Sequence, residues 1–248
     1  MTSAEQTTVL ITGGNKGIGL EAARRLGEQG WMIFLGSRDR DRGRTAADRL
    51  THGGADVIMV PLDVTSDESV RDAERLVREH TDRLDVLINN AGVSGRGTTP
   101  ADATANEIHS VYDTNVYGPV RVTHAFLPLL EAADHPRVVM VSGPGGSIRV
   151  VTDPAQPVSK MHELAYTSSK AALNMITVRY AQALPGINFN VATPGDIANR
   201  KYAATDMNRN TGSGLTITEA TDSIIKLAMI DADGPAGTFT DRLGPAPW

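Results

Sequence analysis

Short, almost uninterrupted apolar runs alternate along the chain with longer stretches whose apolar residues recur every three to four positions. The runs fall at residues 8–12 (TVLIT), 32–35 (MIFL), 57–60 (VIMV), 86–88 (VLI), 138–141 (VVMV) and 187–191 (INFNV). Continuous apolarity, instead of in–out alternation, is what a strand covered on both faces requires. The segments between them, 18–29, 41–50, 66–79, 106–130 and 163–184, carry the spacing of amphipathic helices. Thr65-Ser66-Asp67-Glu68 supplies capping residues and first-turn acids for the third of these. Alternation on this scale predicts an α/β chain: a doubly wound parallel sheet of about seven strands, helices on both faces, right-handed crossovers. One stretch breaks the pattern. Residues 195–214 are polar and rich in Gly, Asn and Thr, and predict a long mobile loop inside one domain covering 1–248.

Composition narrows the classes of function. A chain of 248 residues can bury a core without covalent staples. Cysteine is absent, which excludes disulfides, thiolate nucleophiles and Cys-ligated metals and fits a reducing cytosol. A net charge of −5 argues against a broad nucleic-acid surface. No apolar run approaches a membrane span, and MTSAEQTTV opens no signal-peptide pattern. The histidines show no metal-binding spacing, so no metal is expected. These features predict a cytoplasmic protein with neither nucleic acid nor membrane as partner.

Candidate chemistry begins where the first strand meets Gly13-Gly14-Asn15-Lys16-Gly17-Ile18-Gly19 and a helix follows. Glycines there let the backbone turn sharply and approach a pyrophosphate, which the helix N-terminus then favours. Such turns also occur without a ligand. The second strand ends at Gly36-Ser37-Arg38-Asp39-Arg40, where a dinucleotide's adenosine ribose would lie. Ser37 and Arg38 suit a 2′-phosphate through charge-assisted bonds, with Lys16 in reach. Asp39, one step later, is the residue that would instead favour a 2′-hydroxyl. Tyr166 and Lys170 form the only Y-x-x-x-K and share one helix face. An ammonium beside a phenol lowers the phenol's pKa from near ~10, which suits proton transfer to a carbonyl oxygen. Asn89-Asn90-Ala91-Gly92 closes the fourth strand, and Asn115 stands mid-helix, where Asn is a poor helix former.

In this order the pieces are more specific than any alone, and the chain resembles the short-chain dehydrogenase/reductase family over nearly its whole length. TGGNKGIG (12–19), LDV (62–64), NNAG (89–92), Asn115, YTSSK (166–170) and Pro194-Gly195 carry the resemblance. ITGGNKGIG, the SRD at 37–39 and the closing DGPAGTF and GPAPW look like the carbonyl reductase branch. The resemblance implies a Rossmann fold and NADP(H), held by Gly13, Asn15, Lys16, Gly17, Ile18, Gly19, Ser37 and Arg38. It places Asp63 and Val64 beside the adenine, and Asn90, Ala91 and Gly92 at the adenosine-side ribose. Pro194, Gly195 and Ile197 fall at the nicotinamide end. It makes Tyr166 the acid/base and Lys170 its ribose-binding helper, and has Asn115 hold a proton-relay water. Members of that branch are often monomers, so a monomer or small homo-oligomer is expected.

The pattern breaks in two places. The family's catalytic Ser falls, without gaps, on Gly143, and Ser142 stands one residue early. Losing one such donor costs about 10²–10³ in rate. A loop shift bringing Ser142 into place, substitution by Ser147, or a hydrogen bond supplied by the substrate all remain open. After Pro194-Gly195, Asn199 stands near a usual Thr, and Asp196 occupies a place usually apolar, where it can face substrate. Residues 148–164 and 195–214 are expected to wall and cover the substrate, with Met161, His162, Tyr202 and Met207 as candidate lining. The favoured reading is an NADPH-dependent reductase of a ketone or aldehyde on a small to medium organic molecule. A nucleotide-binding protein with little catalysis, and an NADP-linked alcohol oxidation or epimerisation, stay open beside it.

Overall fold

The computed structural model describes residues 6–205 and 212–248. Its first half repeats strand and helix: β1 (Thr8–Ile11), α1 (Gly17–Gly27), β2 (Met32–Ser37), α2 (Arg40–His52), β3 (Asp56–Pro61), α3 (Asp67–Arg78) and β4 (Val86–Asn89). Then come α4 (Ala105–Tyr112), a π-helical turn (Asp113–Tyr117), α5 (Gly118–Glu131) and β5 (Arg137–Val141). A 3-10 turn (Pro144–Gly146) and the short α6 (Ile148–Val151) lead through a second 3-10 turn (Pro157–Lys160) to α7 (Leu164–Ala183) and β6 (Asn188–Ala192). The chain closes with β7 (Gly195–Asp196), β8 (Lys201–Tyr202), α8 (Ile217–Ala220), α9 (Asp222–Ala228), β9 (Phe239–Asp241) and β10 (Gly244–Pro245).

The main sheet runs β10-β9-β6-β5-β4-β1-β2-β3 and is parallel apart from the β9–β10 pair. The order reverses between β1 and β4, as in a doubly wound Rossmann sheet. Successive residues of the central strands feed opposite cores, because side chains alternate across a sheet. Leu10, Leu87, Val138 and Met140 pack with α3, α5 and α7, and Val9, Ile11, Val86, Ile88 and Val139 pack with α1, α2 and α9. Burial on both faces is why these strands read as continuous apolar runs.

The expected doubly wound sheet of about seven strands is there, with eight among the described residues; β9 and β10 are too short to show a hydrophobic period. Two expectations change. The predicted helix 106–130 is two helices joined by the π turn. There the Gly118 N–H reaches back to the Asp113 carbonyl, and Pro119 has no N–H to return to the Asn115 carbonyl. Finally, the described part of 195–214 is not plain loop. β7 and β8 form an antiparallel hairpin, and Ala203 bridges Leu215.

Candidate active site

Parallel strands end together, so the turns after β1, β4 and β5 share one edge of the sheet. Thr12, just past β1, fastens two of them. Its hydroxyl accepts from the backbone N–H groups of Asn90 (3.0 Å) and Ala91 (2.9 Å). The Asn90 amide donates back to the carbonyls of Thr12 and Gly13, at 2.9 and 3.1 Å. Gly19 is confined beneath them: a Cβ there would stand 2.4 Å from Asn90 Nδ2 and 2.6 Å from the Gly13 carbonyl. Gly17 adopts φ +54° and opens on free space. α1 then begins without a side-chain cap at Lys16 and with no acid in its first turn. Asn15 and Ile18 are half-buried in the same turn and Lys16 is exposed. An uncapped helix start over an open glycine turn fits a pyrophosphate.

At the end of β2 the expected pair separates. Ser37 is fully buried and its hydroxyl donates to the Asp39 carbonyl at 2.7 Å. Arg38 is exposed, and its side chain makes no hydrogen bond or ion pair among the described residues. The Asp39 carboxylate caps α2 by accepting from the N–H groups of Asp41 and Arg42, and also pairs with Arg42. Asp63 accepts from the Thr65 backbone and hydroxyl. Val64 points into the α3/α5/α7 core, and its carbonyl accepts from Arg121 at 3.1 Å. Gly92 is half-buried beside Ala91.

α7 brings Tyr166 and Lys170 against the end of β5. Lys170 is buried and its Nζ donates to the Val141 carbonyl at 2.8 Å, lying 5.8 Å from the Tyr166 ring centre. Burial drops the ammonium pKa to about 8. The Tyr166 phenol is not lowered as the spacing suggested. Burial, with the Glu163 carboxylate one turn earlier, pushes it up to about 12. The reason is geometric, since Lys170 addresses a backbone carbonyl instead of the phenol. Asn115, fully buried in the π turn, accepts from the Val93 N–H (2.8 Å) and donates to the Val93 carbonyl (2.9 Å) and Ser169 Oγ (3.0 Å). Ser169 in turn donates to the Tyr166 carbonyl at 2.7 Å.

Neither serine takes the place of a donor at Gly143. The Ser142 hydroxyl turns to the Lys170 carbonyl at 3.4 Å, and Ser147 caps α6 by accepting from the Val150 N–H. Gly143 itself faces the tyrosine: a Cβ there would stand 3.0 Å from Tyr166 Oη.

The segment after β6 is more self-contained than expected. Asp196 is buried and accepts from the Asn199 backbone and side-chain amides at 2.9–3.1 Å. Asn199 therefore has its amide nitrogen engaged. The Ile197 N–H donates to Asp241 at 3.1 Å, and its carbonyl accepts from Gln156 at 3.2 Å. Pro194 is half-buried, and the buried Gly195 packs on the Tyr202 ring. Met161 and His162 are exposed, Tyr202 is half-buried, and Met207 lies outside the described residues. Thr12, Gln156, Glu163 and Asp241 were not singled out from sequence as site residues. Three of them act on segments far away in the chain, which leaves no local signal. Glu163 alone had one, at three residues before Tyr166 in a helix.

Two cavities, of about 370 and 230 Å³, lie beneath the opposite, N-terminal ends of the strands and hold none of these groups. Among the described residues no cluster of His, Asp or Glu could hold a metal, and no helix is long and apolar enough to cross a membrane.

Known proteins resemble this chain in sequence and fold. The family model described as short chain dehydrogenase matches residues 7–213. The chain is 30% identical to (+)-neomenthol dehydrogenase of Capsicum annuum over 96% of this chain and 98% of that protein. That alignment runs to 314 positions, so the pepper protein carries insertions absent here. Among solved structures, NADPH-bound carbonyl reductase from chicken fatty liver superposes with a TM-score of 0.85 at 27% identity, covering 98% of this chain and 99% of that one. Salutaridine reductase of Papaver somniferum gives 0.81 at 26%, covering 94% and 99%. The chain belongs to the short-chain dehydrogenase/reductase family.

Proposed function

We propose that the protein is an NADPH-dependent reductase of the carbonyl reductase type, acting on a ketone or aldehyde of a small to medium organic molecule. The observation that carries this reading is the Tyr166–Lys170 pair seated at the same sheet edge as the glycine turn. A phenol whose pKa stands at about 12 is protonated at neutral pH, the form that gives a proton to a carbonyl oxygen. Bound reduced nicotinamide would supply the hydride. Gly13, Asn15, Lys16, Gly17, Ile18 and Gly19 hold its pyrophosphate, Asp63 and Val64 its adenine, and Asn90 to Gly92 the adjacent ribose. Arg38, with Lys16 in reach, selects the 2′-phosphate, because Asp39 is engaged in capping α2. Lys170 holds the nicotinamide ribose, and Pro194, Gly195 and Ile197 border the nicotinamide. A carboxamide reaching the Ile197 backbone has to displace Asp241 or Gln156. Asn115 orders a relay water at its carbonyl, which Pro119 cannot satisfy. The described parts of the 195–214 segment, residues 195–205 and 212–214, border the substrate.

Relatives named for neomenthol and salutaridine support a small organic substrate. The test is a fluorescence titration with NADPH and NADH, followed by a panel of ketones, aldehydes and quinones. NADPH is expected to bind at least tenfold tighter and to be oxidised with a carbonyl. Tyr166→Phe is expected to bind NADPH normally and lose reduction at least a thousandfold; retained activity removes Tyr166 from the reaction. Gly143 favours a second reading, a nucleotide-binding protein with little catalysis. Tight NADPH binding without turnover of any panel member would select it.

A further inference from the structure

Gly143 needs no special backbone. Its φ of −168° and ψ of 166° are extended values that any residue adopts. A side chain there would press on the Tyr166 hydroxyl, which lies 3.0 Å from where a Cβ would stand and would have to give by a few tenths of an ångström. The phenol thus abuts the empty side-chain position, and Gly143 offers no side-chain donor beside it. Nearby hydroxyls are directed elsewhere. Ser142 addresses the Lys170 carbonyl, Ser147 caps α6, Thr167 donates to the Glu163 carbonyl at 2.7 Å, and Ser169 donates to the Tyr166 carbonyl. Tyr166 is then the one side-chain hydroxyl of this group left to meet a carbonyl oxygen.

We infer that the substrate supplies the second donor itself: a ketone whose own hydroxyl closes a five- or six-membered hydrogen-bonded ring onto the carbonyl oxygen, as in α-hydroxy and ortho-hydroxyaryl ketones. This rests on the reductase reading. The carbonyl carbon accepts hydride, with two electrons, from NADPH and forms the new C–H bond. The carbonyl π pair becomes a lone pair on oxygen, which takes the Tyr166 proton. NADP⁺ and the alcohol are released after the phenolate regains a proton from solvent. As negative charge grows on that oxygen, the internal hydroxyl bond strengthens, which is where a second donor accelerates the reaction. A substrate without one loses about 10²–10³ in rate.

The experiment compares 2′-hydroxyacetophenone with 2′-methoxyacetophenone, and 2-hydroxycyclohexanone with 2-methoxycyclohexanone. Each kcat/KM is divided by the rate of borohydride reduction to remove intrinsic reactivity. The hydroxy ketones are expected to win by a hundredfold or more in kcat/KM. Calorimetric dissociation constants within a pair are expected to agree within about threefold, since the discrimination arises in turnover and not in binding. Gly143→Ser, which returns a donor, is expected to narrow the gap at least tenfold, and Gly143→Ala to leave it wide. Methyl ethers reduced as fast as their hydroxy partners overturn the inference and leave the reductase reading standing. So does a gap that Gly143→Ser does not narrow, or one found wholly in binding. Absence of NADPH oxidation with every carbonyl overturns both. Should neither variant fold, the wild-type rates and dissociation constants decide alone.

Discussion

At Lys170 burial decides the protonation equilibrium, and the ammonium donates to the Val141 carbonyl at 2.8 Å. The buried ammonium has a pKa of about 8 against 10.5 for the ordinary side chain. The folded state therefore holds fewer protons than the unfolded chain between these values. The penalty for burying the charge is present in full below pH 8 and is relieved as pH rises toward 10.5. Lys170→Met lacks this gain. Urea denaturation across pH 7–10.5 is expected to show wild type rising relative to the variant by up to about 3 kcal/mol; parallel curves would contradict it. Gly19 makes a steric prediction. Gly19→Ala must displace Asn90 or the Gly13 carbonyl, so NADPH affinity in the fluorescence titration is expected to fall at least tenfold while circular dichroism stays unchanged. The glycine turn was legible in sequence because its constraint is local. Ser37 was not, because its orientation follows from a bond to the Asp39 carbonyl that forms only as α2 is capped.

Among the elements, the π turn between α4 and α5 does the most for the site. The apolar spacing of 106–130 runs straight through it, so periodicity alone gives one helix. Pro119 was the visible interruption, and its missing N–H lies one helical step from Asn115. The turn presents Asn115 to Val93 and Ser169, joining the end of β4 to α7. Asn115→Leu leaves the Val93 N–H and carbonyl without that partner, at a cost of about 2 kcal/mol. The melting temperature is expected to fall by about 4–8 °C. Reduction is expected to fall further than the lost stability explains, while an unchanged melting temperature would show that the Val93 clamp carries little. The β7–β8 hairpin was read as loop because two-residue strands carry no period. Asp196 within it holds Asn199, a partnership that the hairpin's fold creates.

Across the whole molecule, the sheet separates two apolar cores that share strands but not side chains. Ile33→Val on the α1/α2/α9 side and Val138→Ala on the α3/α5/α7 side are expected to cost about 1 and about 2 kcal/mol. Their double variant should lose the sum within about 0.5 kcal/mol in urea denaturation. A larger discrepancy would show strain passing through the sheet. The order of strands and helices, the glycine turn and the Tyr166–Lys170 spacing were determined by the sequence alone, since each rests on periodicity or on residues within one element. Tertiary structure alone decided that Gly143 abuts the Tyr166 hydroxyl and that Ser142 and Ser147 serve the backbone. It likewise decided that Asp39 is held by α2, that Ile197 is bound by Asp241 and Gln156, and that the Tyr166 phenol is raised and not lowered. Each of these depends on the direction of a side chain once other segments have packed around it, and on the water that packing removes, neither of which is written in the spacing of residues along the chain.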